Sequence, residues 1–548
     1  MAVKEKVQLK EFVECLSYPS KKSRPLGKWP LSVPRDPLIS DYTQIKGKKT
    51  IPEKYFYSLY FTVFDVRDYG PEIKKFMKIF SNMAVKKVYL ETYRDGCTAD
   101  EKVLKTAKKA LEKEGIKVSG GITTTHFSDK TKYNETVSAA GCYTDKNANR
   151  ALKKTVEFTA KIFNEIIIDD WFFTVCMCPE CKKARQGRTW AEYRSKLMYD
   201  TAKKYIIEPA KKTNKKALLV LKLPQWYEEY YEKGYDITRL TEIFDELAVG
   251  TESRDLKKGR YMPVHGGMLY RYIKETAPDK VKKAWFDIYM TDSNIYVEQA
   301  YQSVMGGAEE IILFCAGIMP QKEMRPMVEA LIENTPKMGR LRDLHKIFKV
   351  PVIRKPNTSG DDKLHQYFLM LGIPIFLTEK MKFEERIVIL TEQSGKKTEY
   401  TKLFNHFLKE KKDIVLTAGV AKEIKKYFNF KKLAKPVKGE QIKYTGRQNS
   451  IKGKVVIDSE ITGGKHLALI NGAYPFLTFF KIKNSKVFVL SLPEETSTIT
   501  DITGDKQSAD YRYLVKTLGM ADAVRNIFKN YANVLLFDRI KTYYKYNL

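Results

Sequence analysis

Between Asn164 and Cys181 the chain reads NEIIIDDWFFTVCMCPEC, and two kinds of chemistry stand within one loop of each other. Asp169 and Asp170 are adjacent carboxylates at the end of an apolar run, and paired carboxylates can supply a general acid together with a nucleophile or base. Cys176, Cys178 and Cys181 follow as a C-x-C-x2-C knuckle. Cys142, in the preceding loop, can complete a tetrahedral Zn2+ site, and four thiolates make such a site closed and hence structural. Its role would be to pin two loops together; the plainer alternative is four reduced thiols on surface loops.

These groups need a strand to carry them. The isoleucines of residues 166–168 form a run that is apolar along its whole length, the pattern of a parallel strand buried on both faces. Further strands are expected at Phe56 to Val66, Val85 to Glu91, Ile116 to Thr123, Ala217 to Leu223, Glu246 to Thr251, Val281 to Ile288 and Glu309 to Cys315, with 3.6-residue periodicity filling most intervals. Eight strand-helix units in this length predict a (β/α)8 barrel, a TIM barrel of the α/β class, over residues 55–349. An arm rich in Pro and Lys precedes it at 1–54. A small doubly wound α/β region follows at 350–432, and a β-rich accessory region at 433–548.

In such a barrel the C-terminal strand ends share one mouth. Strand by strand they bring Asp65 and Arg67, Glu91 and Arg94, His126, Asp169 and Asp170, Gln225 and Trp226, Glu252 and Arg254, and Asp287 with Asp292. Carboxylates interspersed with Trp171, Trp226 and Trp285 suit a sugar site, because indole faces stack on the apolar face of a pyranose. A single strand-end carboxylate is more often a helix cap or an ion-pair partner. The adjacent pair is different: strand alternation would send one carboxylate into the barrel and its neighbour toward the helices.

The formal net charge is +32, from 98 Lys and Arg against 66 Asp and Glu. The lysines are spread over every segment without a dense arginine block, so a solvated surface is the plain reading and an acidic glycan the functional one. Nucleic-acid binding is expected to be absent. Apolar runs fall far short of the roughly 20 residues of a membrane span. The N-terminus lacks an apolar signal core, which reads as cytoplasmic, or as periplasmic or secreted if a leader has been removed. Seven cysteines in 548 residues are not a disulfide framework.

With its carboxylates, its C-x-C-x2-C knuckle and its order of regions, the chain resembles the glycoside hydrolase family 42 β-galactosidases and, more loosely, other clan A glycosidases. The resemblance implies a glycosidase barrel, then a glutamine-amidotransferase-like α/β domain used for trimerisation, then a small β domain. It implies a structural zinc on Cys142, Cys176, Cys178 and Cys181, no organic cofactor, a carbohydrate substrate and a homotrimer. Clan A enzymes carry Asn-Glu at strand four and Glu at strand seven, where this chain has Asp169-Asp170 and Asp287. The expected roles are Asp170 as acid/base and Asp287 as nucleophile or base, with Glu91, Arg94, His126, Asp169, Trp171, Trp226, Glu252 and Trp285 lining the sugar pocket. Two other readings stand beside this one. In an Asp-nucleophile α-glycosidase, Asp170 would attack and Glu252 would be acid/base; in a carbohydrate-binding protein the barrel would be degenerate and inactive.

Overall fold

The computed structural model describes residues 42–127, 140–254, 261–339, 349–451, 455–491 and 518–532. Most of the N-terminal arm lies outside them, and so do residues 533–548 at the end of the β-rich accessory region, where the sequence pattern of Val534 to Phe537 reads as a strand. The chain forms two compact units.

The larger unit, residues 18–255 and 269–343, is the barrel. Its eight parallel strands are β1 (Phe56–Phe61), β2 (Val85–Arg94), β3 (Lys117–Ile122), β4 (Glu165–Ile168), β5 (Leu218–Leu223), β6 (Glu246–Gly250), β7 (Val281–Asp287) and β8 (Glu310–Phe314). Each pairs with its sequence neighbour, and β1 pairs with both β2 and β8, which closes the sheet. Inside, Tyr60, Tyr89, Ile167, Val220, Ala248, Trp285 and Ile312 form a packed layer. At the N-terminal strand ends the interior is ionic: Glu310 accepts hydrogen bonds from Ser58 at 2.6 Å, Tyr89 at 2.8 Å and Lys87 at 3.1 Å, and Lys283 lies 3.6 Å from it.

Two local expectations are corrected. The first strand stops at Phe61, because Thr62 caps a helix, Val63–Tyr69, in a reciprocal box with Asp65. Asp65 is therefore a helix residue, and Arg67 pairs with Asp68 on the surface. The helical periodicity between β4 and β5, which the sequence carries from Thr189 to Thr213 as one pattern, is broken into an α-helix, Trp190–Thr201, a π turn, Ala202–Ile207, and a second helix, Glu208–Thr213. Pro209 enters the last of these at its first turn, where its missing N–H is tolerated.

The described part of the smaller unit lies within residues 261–268 and 349–532. Strands β9 (Val350–Ile353), β10 (Ile375–Thr378), β11 (Ile387–Leu390) and β12 (Asp413–Thr417) lie parallel in the order β10-β9-β11-β12. After β13 (Asn429–Lys438) the chain forms β14 (Gln441–Tyr444), β15 (Arg447–Ser450), β16 (Val456–Thr462), β17 (Lys465–Ile470), β18 (Tyr474–Ile482) and β19 (Ser485–Leu490). The expected division at 432/433 is not a break in the sheet. Strand β19 pairs parallel with β12, so β19, β18, β17, β14 and β15 extend the same nine-stranded sheet, while β13 and β16 pair as a separate two-stranded sheet. Apolar residues from both sides of that division, among them Ile414, Phe428, Ile461 and Val489, share one core. No helix among the described residues is long and apolar enough to cross a membrane.

Candidate functional site

The strand ends of β2, β4, β5, β6 and β7 bring a cluster of acidic and basic side chains to the barrel mouth. Glu91 is fully buried and saturated: it accepts hydrogen bonds from Tyr60 Oη at 2.7 Å, the Val63 amide at 2.7 Å, Thr123 Oγ1 at 2.5 Å and Arg94 Nε at 2.9 Å. A carboxylate with its lone pairs so occupied orients Arg94 and has no acceptor left for substrate. Arg94 in turn donates to Asp169 Oδ2 at 3.2 Å, and Thr123 reaches the same oxygen at 3.0 Å.

Asp169 and Asp170 do not alternate as strand residues would. Strand β4 ends at Ile168, and the chain then turns, so that Asp170 N donates to Asp169 Oδ1 at 2.8 Å and both carboxyls face one ammonium. That ammonium is Lys222 Nζ on β5, 2.8 Å from Asp170 Oδ2, 3.4 Å from Asp169 Oδ1 and 3.6 Å from Glu252 Oε1. Lys222 is the site residue the sequence reading passed over. Its signal is a lysine inside LLVLKL, where alternation on a barrel strand points it inward.

Across the mouth, Asp287 at the end of β7 is buried and receives Arg254 Nε on both oxygens, at 3.1 and 2.9 Å, a further bond from Arg254 Nη2, and the Tyr289 amide at 3.1 Å. Glu252 is buried as well, and its Oε2 has no hydrogen-bond partner among the described residues.

Counted together, the carboxyls Glu91, Asp169, Asp170, Glu252 and Asp287 face the cations Arg94, Lys222 and Arg254. An excess of buried carboxyls over cations favours retained protons, and the geometry decides where they sit. Burial opposes charge on Asp169, yet Lys222 and Arg94 outweigh it and draw the carboxyl down to about 2. Burial, reinforced by Asp169 and Glu252 and only partly offset by Lys222, pushes Asp170 up to about 7. Burial also raises Glu252 against the pull of Lys222 and Arg254. Asp65, buried beside the Thr62 and Gly317 amides, rises to about 6.

The aromatic expectations divide. Trp171 and Trp226 are half-buried in one wall with Phe173, Tyr230 and Tyr235, and Tyr235 Oη donates to the Asp170 carbonyl at 2.7 Å. Trp285 belongs to the interior layer instead, 1% exposed, stacked on Phe314 with Lys222 Nζ 4.4 Å above its ring. It forms the floor under the ammonium. His126 is exposed and faces Asp95 at 3.8 Å, apart from the carboxylate cluster, because the backbone after β3 turns through a left-handed residue at this position.

The four cysteines do come together. Cys142, Cys176, Cys178 and Cys181 are buried, and their sulfurs all lie within 4.8 Å of one another. Cys142 Sγ is 3.8 Å from Cys178 and 3.7 Å from Cys181, and a tetrahedron with Zn–S bonds of about 2.3 Å has edges of roughly 3.8 Å. Tyr193, Trp190 and Leu197 pack around the group. The donor set, spacing and dry surround fit a structural metal ion.

A family model described as "Probable glycosyl hydrolase, catalytic domain" matches residues 47–335, and one for the second domain of the uncharacterized protein SSO3021 matches residues 345–469. Uncharacterized protein SSO3021 of Saccharolobus solfataricus is 28% identical over 501 residues, covering 79% of this chain and 81% of that protein. Among solved structures, Gan42B, a GH42 β-galactosidase from G. stearothermophilus, aligns with TM-score 0.55 at 9% identity over 88% of this chain and 89% of its own. Alpha-L-fucosidase isoenzyme 2 from Paenibacillus thiaminolyticus aligns with TM-score 0.56 at 11% identity, over 89% and 84%. At these identities the likeness is one of fold: the chain has a GH42-like architecture.

Proposed function

Because the chain belongs to the probable glycosyl hydrolase family, whose catalytic-domain model spans more than half of it, we propose that it hydrolyses a glycosidic bond in an oligo- or polysaccharide, with Asp170 as general acid/base. One observation carries this reading: Asp170 sits at the mouth with a carboxyl raised to about 7, so near neutrality it can both give a proton to a leaving oxygen and take one from water. Asp287, clasped by Arg254, is the partner that meets the developing positive charge at the anomeric carbon. Trp171 and Trp226 supply the stacking wall for the sugar ring. The test is a panel of aryl α- and β-glycosides with the wild type and Asp170→Asn. Turnover lost by orders of magnitude in the variant supports the reading. Sugar binding without any turnover would make this a carbohydrate-binding protein.

A second assignment within the same chemistry has its own support. Asp170 Oδ2 and Glu252 Oε1 contact one nitrogen at 2.8 and 3.6 Å, which caps the separation of these two oxygens at about 6.4 Å, just under the roughly 6.5–9.5 Å span of inverting pairs. In this version Asp170 is the nucleophile and Glu252 the acid/base. Azide rescue of Asp170→Ala separates the two. Glycosyl azide of the substrate's own anomeric configuration marks a lost acid/base, and the opposite configuration marks a lost nucleophile.

An anionic sugar has less to recommend it than the bulk charge suggests, since Arg94 is already engaged by Glu91 and Asp169. Equal or faster turnover of neutral glycosides than of uronides would remove it. The cysteine group we assign to a structural Zn2+, and the GH42-like architecture to a homotrimer, which light scattering of the purified protein would check.

A further inference from the structure

One cation in the cluster takes no part in the steps above. Lys222 is almost fully buried, and three carboxyls from two strand ends converge on it: Asp170 and Asp169 from β4 and Glu252 from β6. From below, the face of Trp285 on β7 holds the ammonium at 4.4 Å, a cation–π contact that fixes its height in the barrel. The remaining titratable neighbours are Tyr230 and Tyr235, phenols held neutral by burial and by the carboxylates beside them. Arg94 and Arg254 stand one carboxylate further out, on Asp169 and Asp287.

We propose that Lys222 is the positioning residue that lets Asp170 alternate between carboxylic acid and carboxylate, an inference that rests on the glycosidase reading above. A carboxyl buried between Asp169 and Glu252 would, without a counter-ion, hold its proton through the whole neutral range. When Asp170 transfers that proton to the glycosidic oxygen, the C–O bond breaks with its electron pair leaving on that oxygen. The new carboxylate then faces an ammonium 2.8 Å away. As the C–O bond breaks, Asp287 bonds the anomeric carbon. In the second half-reaction water attacks this carbon, and the glycosyl–Asp287 ester bond breaks with its electron pair returning to the Asp287 carboxylate. The water's proton goes to Asp170 and restores the acid. The burial of Lys222 matters because a solvated cation would be screened, whereas here it acts through a dry path.

The test follows the Asp170 carboxyl directly, by its protonated C=O band in infrared difference spectra taken against Asp170→Asn, alongside the pH profile of kcat/KM. In Lys222→Met the band should persist at least about one pH unit higher than in the wild type, with the alkaline limb of kcat/KM moving up equally and the loss falling on kcat more than on KM. Lys222→Arg should bring both back toward the wild type. Glu252→Gln, which removes a negative neighbour and keeps the ammonium, should move the band the opposite way; it decides the matter if Lys222→Met does not fold. Coincident titrations in all three variants and the wild type would overturn the proposal. Shifts in the expected directions in a protein that turns over no glycoside would leave the role of Lys222 standing and remove the glycosidase reading.

Discussion

Arg254 clasps Asp287 with Nε between both carboxylate oxygens, at 3.1 and 2.9 Å, although the arginine side chain is 38% exposed and the aspartate is fully buried. The two ends of this pair are therefore unequal. Removing the arginine leaves a buried charge that water cannot reach, while removing the aspartate leaves a guanidinium that water can. Arg254→Met should cost about 2 kcal/mol, below the ~3–5 kcal/mol of a fully buried broken pair because of that exposure, and Asp287→Asn clearly less. Urea midpoints of the two variants check it, and a larger loss in Asp287→Asn would show that the charge is not held where the geometry places it.

The raised carboxyl of Asp170 makes a prediction about stability that needs no substrate. Its folded value, about 7, lies above the unfolded value near 3.8, so the native state binds the proton more tightly and stability falls as pH rises through that window. Asp169 runs the other way. Its folded value of about 2 adds stability that is present above pH 4 and is lost as pH falls toward 2. Asp65, raised to about 6, adds to the neutral-range fall in both wild type and variant. The difference between wild type and Asp170→Asn isolates Asp170. Unfolding free energies at pH 5 and 8 should separate the two proteins by an amount on the order of 2 kcal/mol, with the variant flatter. Parallel curves would contradict the assignment.

The parts of this molecule that could be read from the chain are those set by local period. The isoleucines before Asp169 and the LLVL of β5 announce buried parallel strands, and the C-x-C-x2-C spacing with Cys142 announces its cluster, because each signal lies within a few residues. What could not be read is which strand ends meet. Lys222 looks like one more lysine in a lysine-rich chain until β4, β5 and β6 are laid side by side. The clasp of Asp287 by Arg254 joins residues on different strands in the same way. The error on the Asp169-Asp170 pair came from extending the pleat two residues beyond the last strand residue, Ile168. That on Asp65 came from overlooking Thr62 three residues ahead of it, a capping box that the sequence does display.

The cysteine group yields a prediction on metal removal. If Zn2+ occupies it, the purified protein should carry close to one zinc per chain, and a chelator strong enough to remove it should lower Tm by several degrees while exposing four additional reactive thiols. Cys178→Ser should reproduce the loss with the zinc content reduced. Since Cys142 and the knuckle belong to the loops after β3 and β4, the loss should also lower the affinity for sugar more than it lowers the helix content. Four thiols that react freely before chelation, in a protein free of zinc, would return the cysteines to the plain reading of a buried reduced cluster.

The ionic layer at the opposite end of the barrel separates stability from activity. Glu310 accepts from Ser58, Tyr89 and Lys87 and lies 3.6 Å from Lys283, while Lys87 also pairs with Glu165 and Lys283 with Glu246. Two buried ammonium groups thus share this carboxylate, and each keeps one further acidic partner, Glu165 for Lys87 and Glu246 for Lys283. Glu310→Gln removes the charge and keeps the shape, and it should destabilise the barrel by about 2 kcal/mol, below the ~3–5 kcal/mol of a buried charge left alone because each ammonium keeps its second carboxylate. The N-terminal strand ends lie away from the mouth where the proposed reacting groups stand. Turnover per folded molecule, measured well below the melting transition, should therefore stay within about twofold of the wild type, a change under about 0.5 kcal/mol in the barrier. A Glu310→Gln protein that kept its stability and lost its activity would place chemistry at the wrong end of the barrel and refute the assignment of the mouth as the site.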